Sequence, residues 1–173
     1  MACPDHSPDT LRQRRRGFTL IESAMVTVII GVGVVGMMQL LATGTMTNAA
    51  GTDATIGINL ASNIRDLSLG MAYYDPQQPT VWNTREATVA AWDNIMDLDG
   101  ASFSPPQDAR RQPLTGYPSW TQAVEVESVS EENVSVTVPD TMTEPMARVT
   151  VTIKRHGIPV YRATWLAVAP KAN

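Results

Sequence analysis

The sequence predicts an α+β fold: a long N-terminal transmembrane spine helix bearing a globular head, in which a four-stranded antiparallel sheet packs on the helix's outer half. Three observations predict it. No charged residue occurs from Ser23 to Thr52, the length of a membrane span and more. Apolar residues then recur at Ile56, Leu60, Ile64, Leu67 and Met71, the spacing of one helical stripe. From Ala123 onward apolar and polar residues alternate with the period of strands. At 173 residues, the chain has room for one ordinary core beside such a helix.

The segment Ala24–Leu41 is apolar apart from Thr27 and Gln39. Roughly twenty helical residues cross a hydrocarbon core of about 30 Å, and Phe18–Leu41 supplies that length. Four of the thirteen basic residues, Arg12, Arg14, Arg15 and Arg16, precede it, against only Asp5 and Asp9, so residues 1–17 carry +2. That leaves nine basic and fifteen acidic residues, or −6, for residues 18–173. By the positive-inside rule the arginines stay cytoplasmic and the C-terminal part lies outside the cytoplasm, where a polar acidic surface suits it. A cleaved secretory signal is the competing reading, but its apolar core would be about 7–15 residues long and would end in small residues at a cut site. The run here is longer and no A-x-A follows it. Glu22 lies inside the apolar segment, where a charge costs about 2.5–3.5 kcal/mol near a helix centre and less toward the interface. Such a charge calls for a partner.

The residues Arg14-Arg15-Arg16-Gly17-Phe18-Thr19-Leu20-Ile21-Glu22 closely resemble the N-terminal processing motif of type IV prepilins and type II secretion pseudopilins. The resemblance implies that a prepilin peptidase/methyltransferase, a membrane aspartic peptidase, cuts between Gly17 and Phe18 and methylates the new Phe18 amine. Residues 1–17 are then a leader that is removed, 18–44 the transmembrane and assembly half of the helix, and 45–173 an extracytoplasmic head. Gly17 lacks a Cβ, which lets a peptidase approach the scissile bond. Each arginine holds the leader at the anionic cytoplasmic leaflet by about 1 kcal/mol. The resemblance casts Glu22 as an assembly contact that neutralises the Phe18 amine of a neighbouring subunit; the bland reading is a carboxylate that snorkels to the interface. Implied partners are other pilin or pseudopilin subunits, an inner-membrane assembly platform and lipid. The expected location is the inner membrane before assembly, then a pilus or periplasmic pseudopilus. The short C-terminal meander, without a C-terminal cysteine pair, is more similar to small minor pilins and minor pseudopilins than to major pilins.

The spine helix is expected from Phe18 to about Leu69, roughly 78 Å at 1.5 Å per residue, with Gly70 at its C′ position. Gly31, Gly33, Gly36, Gly44, Gly51 and Gly57 weaken it locally or give it a small-residue packing face. Six prolines punctuate residues 72–120, among them Pro105 and Pro106. One helix is expected there, opened by a capping box of Asn83 and Glu86, carried by Val89, Trp92 and Met96, and ending near Leu98. Strands are expected at 123–127, 134–138, 149–153 and 160–168. Glu125, Glu127, Thr150, Thr152 and Lys154 should face outward, and Gly157 should turn the last hairpin with positive φ.

Composition closes most routes to chemistry. A net charge of −4 and a pI near 5.1 argue against nucleic-acid binding. The single cysteine, Cys3, lies in the leader, so a chain without the leader forms no disulfide and no thiolate site. Of two histidines, His6 is in the leader and His156 in a turn, leaving no multi-histidine metal site and no hydrolase base. Asp97-Leu98-Asp99-Gly100 matches only part of a calcium loop, lacking its later ligands, so neither a metal nor a cofactor is expected. The pairs Glu125/Glu127 and Asp97/Asp99 read as surface charge. An assembly subunit is therefore favoured over an anchored binding or sensor domain, and both over an enzyme.

Overall fold

The computed structural model describes residues 17–78, 85–139 and 144–170. Arg12, Arg14, Arg15 and Arg16 lie outside the described residues, as does Asn83 of the expected capping box. The elements are helix α1 (Leu20–Leu69), a 3₁₀ turn (Ile95–Leu98), and strands β1 (Ser102–Phe103), β2 (Trp120–Ser128), β3 (Met146–Arg155) and β4 (Ile158–Val168). The chain divides into two compact units, Met1–Thr47 and Asn48–Asn173.

In the first unit α1 is long and apolar enough to cross a membrane, and every residue from Gly17 to Thr47 is exposed. Its few hydroxyls fold back on the helix: Thr27 Oγ1 donates to the Ser23 carbonyl and Thr43 Oγ1 to that of Gln39, each at 2.9 Å. A helix satisfies its own backbone, and these bonds satisfy the polar side chains too, so threonine is compatible with a lipid-facing surface.

In the second unit α1 turns a stripe inward, burying Gly57, Leu60, Ala61, Ile64, Leu67 and Ser68. The helix stops where expected but not by a left-handed glycine, since Gly70 is not among the positive-φ residues. It closes instead through short-range bonds, Gly70 N–H to the Leu67 carbonyl and Met71 N–H to that of Ser68.

The sheet is an antiparallel meander in the order β1-β2-β3-β4. Val124 and Val126 of β2 and Val149, Val151 and Ile153 of β3 share one core with Leu60, Ile64 and Leu67 of α1. Gln122, fully buried, ties the layers together: Nε2 donates to the carbonyls of Leu60 (2.9 Å) and Gln107 (3.0 Å), and Oε1 accepts from Gln107 N–H. His156 (φ 51°) and Gly157 (φ 80°) make the two-residue turn between β3 and β4, the positive-φ geometry that a tight hairpin needs. On the outer face Arg148 pairs with Glu127 and Arg162 lies near Glu125.

Four expectations need correction. The segment 134–138 is not a strand of the sheet; Val134 and Val136 are exposed, and it is joined to the sheet by the bridge Val129 to Thr137 and by Arg148, which donates to the Val134 carbonyl and the Thr137 hydroxyl. Its alternation has no second layer to face, and an Asn133 side chain accepting from Ser135 N–H bends it early. The fourth strand is β1, only two residues long. Among the described residues no α-helix leads to Leu98; the 3₁₀ turn there is capped by Asn94, whose side chain accepts from Met96 N–H, while Asp97 Oδ2 accepts from the N–H of Asp93 and Asn94. Thr150, on the outward face by alternation, is buried and hydrogen-bonds the Thr164 hydroxyl at 3.2 Å.

Candidate functional site

The charge nearest the start of the apolar helix is Glu22, in its first turn. The turn is opened by Thr19, whose carbonyl accepts from Glu22 N–H (3.0 Å) and Ser23 N–H (3.2 Å). A carboxylate in a first turn is favoured by the helix dipole. Gly17, Phe18 and Thr19 precede the helix, so the Gly17–Phe18 bond is not locked in helical hydrogen bonds. A peptide bond outside regular secondary structure is one that a protease groove can accept.

Gly17, Phe18, Thr19 and Glu22 line one open concavity, so three residues singled out from the sequence are brought together. The leader arginines lie outside the described residues. A Cβ built on Gly17 would meet nothing within 4 Å; packing among the described residues does not require glycine there. Phe18 is 73% exposed, and Glu22 forms no ion pair among the described residues.

The other residues weighed for chemistry are occupied or solvated. His156 is exposed in its turn, and its N–H bonds the Ser119 carbonyl. Asp99 Oδ1 accepts from Val126 N–H at 2.9 Å, anchoring the turn to β2. Glu125 and Glu127 face arginines across the outer sheet surface. Asp97 is different: it is fully buried, and one oxygen has no hydrogen-bond partner. Sequence reading classed it as surface charge, and the missed signal was the capping pattern Asn94-x-x-Asp97, which draws that side chain inward.

Residues 12–38 match the family model of the prokaryotic N-terminal methylation motif. No curated protein and no solved structure matches the chain. The matched segment holds Gly17, Phe18, Glu22 and the first part of α1, so the chain carries a prepilin-type N-terminal motif on a membrane-compatible helix.

Proposed function

We propose that this chain is a structural subunit, of the minor class, of a type IV pilus or type II secretion pseudopilus. A prepilin peptidase removes residues 1–17 at the Gly17–Phe18 bond, the new amine is methylated, and residues 18–44 anchor the protein and then pack among other subunits. Residues 45–173 form the extracytoplasmic head. The observation that carries this reading is the matched motif at 12–38 leading directly into the apolar first half of α1, in which every residue is exposed. Two details support it. Glu22 has no counter-ion among the described residues, and a neighbouring subunit's Phe18 amine would supply one in a low-dielectric filament core. Cβ atoms at Gly31, Gly33, Gly36, Gly44 or Gly51 would touch nothing among the described residues, which suits glycines that serve close approach by other helices.

Intact-mass analysis of protein extracted from membranes tests the processing step. The expected chain begins at Phe18 and is heavier by one methyl group. A mature chain that keeps Met1–Gly17 overturns the reading, and Gly17 replaced by a bulky residue should accumulate uncut in the membrane.

A further inference from the structure

The chain holds seven asparagines, and only Asn133 is followed by a residue other than proline and then by serine or threonine, as Asn133-Val134-Ser135. This tripeptide is the acceptor signature for attaching an oligosaccharide to an asparagine amide in a surface loop of a secreted protein. Three residues are few, so their setting has to decide what they do. Residues 131–136 lie between β2 and β3, belong to no helix or strand and are all exposed. By contrast Asn94, which caps the 3₁₀ turn, is 2% exposed.

The local geometry presents the acceptor. Asn133 Oδ1 accepts from Ser135 N–H at 3.1 Å and the Asn133 carbonyl accepts from Val136 N–H at 2.9 Å, so the tripeptide folds into a tight turn. Two further bonds hold the turn in place: Ser130 N–H donates to the Val136 carbonyl at 3.0 Å, and Arg148 donates to the Val134 carbonyl at 3.2 Å. Asn133 Nδ2, the atom that carries the sugar in such a linkage, makes no hydrogen bond among the described residues, and neither does the Ser135 hydroxyl. The β2–β3 register ends at Ser128 opposite Ala147, so a transferase can engage the turn without breaking the sheet.

Two neighbouring features fit a glycan at this point. Glu131 and Glu132 are exposed and form no ion pair among the described residues, so carboxylates flank the acceptor on its N-terminal side and a cationic cleft can hold it. Val134 and Val136, on its other side, are 40% and 48% exposed. A pyranose ring turns C–H groups to apolar surface while its hydroxyls stay in water, and a sugar on Asn133 would cover these valines.

We propose that Asn133 is an N-glycosylation site, which receives its glycan from a lipid-linked oligosaccharide pyrophosphate through an oligosaccharyltransferase. The inference rests on the proposed placement of the head outside the cytoplasm, where secreted proteins meet such donors. In the transfer Asn133 Nδ2 attacks the anomeric carbon of the donor sugar. The new C–N bond replaces the bond from that carbon to the pyrophosphate oxygen, the lipid pyrophosphate leaves with the electron pair, and Nδ2 gives up one of its two protons. The linked amide keeps its other N–H, and Oδ1 can keep its bond to Ser135 N–H. The chain supplies the acceptor amide and the Ser135 hydroxyl that the transferase reads; the chemistry belongs to the transferase.

The test uses the full chain extracted from membranes of the cells that make it, digested and read by tandem mass spectrometry. Peptides spanning Asn133 should carry the mass of a glycan on that residue, and the intact chain should be heavier by the glycan as well as by the methyl group. The N-terminal peptide of the same digest reports cutting at Gly17–Phe18 and methylation on its own, so failure of the glycan and failure of the processing step are told apart. Asn133→Gln and Ser135→Ala should each abolish the added mass, while Ser135→Thr should keep it, because either hydroxyl satisfies the signature. All three substitutions fall on exposed residues, and an unchanged Tm of each variant checks that the head still folds. Unmodified Asn133 in every peptide overturns the proposal. So does undiminished glycan in Ser135→Ala, or a sugar that survives in Asn133→Gln and therefore sits on a serine or threonine.

Discussion

The two halves of α1 have the same secondary structure and opposite surroundings. From Leu20 to Thr47 every side chain is exposed, including Leu20 at 90% and Leu40 at 78%. From Asn48 to Leu69 the stripe at Leu60, Ile64 and Leu67 is buried by the chain's own sheet and loops. The glycines divide in the same way. A Cβ on Gly57 would lie 2.7 Å from Tyr161 Cβ, whereas at Gly31, Gly33 and Gly36 it would meet nothing. Contacts within the chain explain the sequence of its second half and not that of the first, which under the proposed function answers to lipid and then to other subunits.

The largest test of that contrast sets the cores apart. Trp120→Ala should destabilise the head by about 3–5 kcal/mol and Ile64→Ala by about 2–5 kcal/mol, since these side chains are 6% and 0% exposed. Ile29→Ala, 70% exposed, should change head stability by less than about 0.5 kcal/mol. Urea unfolding of the full chain in detergent, followed by tryptophan fluorescence, measures all three. Next comes the glycine pair. Gly57→Ala should cost about 1–3 kcal/mol, because the Tyr161 Cβ it meets is fixed to the backbone and cannot swing aside. Gly33→Ala should leave the same unfolding midpoint unchanged. The smallest effect is at the ion pair of Arg155 with Asp53 (Nη1 to Oδ1 2.5 Å), which links the end of β3 to α1. The Arg155 side chain is 43% exposed, so Arg155→Ala should cost no more than about 1 kcal/mol, and the loss should shrink in high salt.

What was legible in the sequence follows from periodicity and length. The membrane-compatible half of α1 was read from a charge-free run, and its inner stripe from the spacing of Leu60, Ile64 and Leu67. Strands β2, β3 and β4 alternate over nine to eleven residues, long enough for period two to be unmistakable. The same period misled at 134–138, where no layer lies beneath the valines, and β1 at Ser102–Phe103 is too short to show a period at all. The helix expected to end at Leu98 failed because Trp92 and Met96 are buried by loop packing and not by a helical face. Gly17, Phe18 and Glu22 were found because a motif keeps them contiguous. Glu86, Asp93 and Asp97 are spread along the chain and meet through the loop before the 3₁₀ turn and the Asn94 cap, so Glu86 drew notice only as a capping residue and Asp97 only as surface charge.

The central claim is that the first half of α1 is built for assembly, with Glu22 as its charged contact. It is tested most directly by Glu22→Ala and Glu22→Gln in cells making filaments, with this subunit quantified in membranes and in sheared filaments. Membrane insertion and cutting at Gly17–Phe18 should persist in both variants, since removing the charge lowers the cost of the membrane segment. The account predicts that the subunit disappears from sheared filaments in both variants, because the neighbouring amine is left buried and unpaired at a cost of several kcal/mol. Normal filament levels of both variants would contradict it and leave Glu22 as a carboxylate that merely snorkels to the interface.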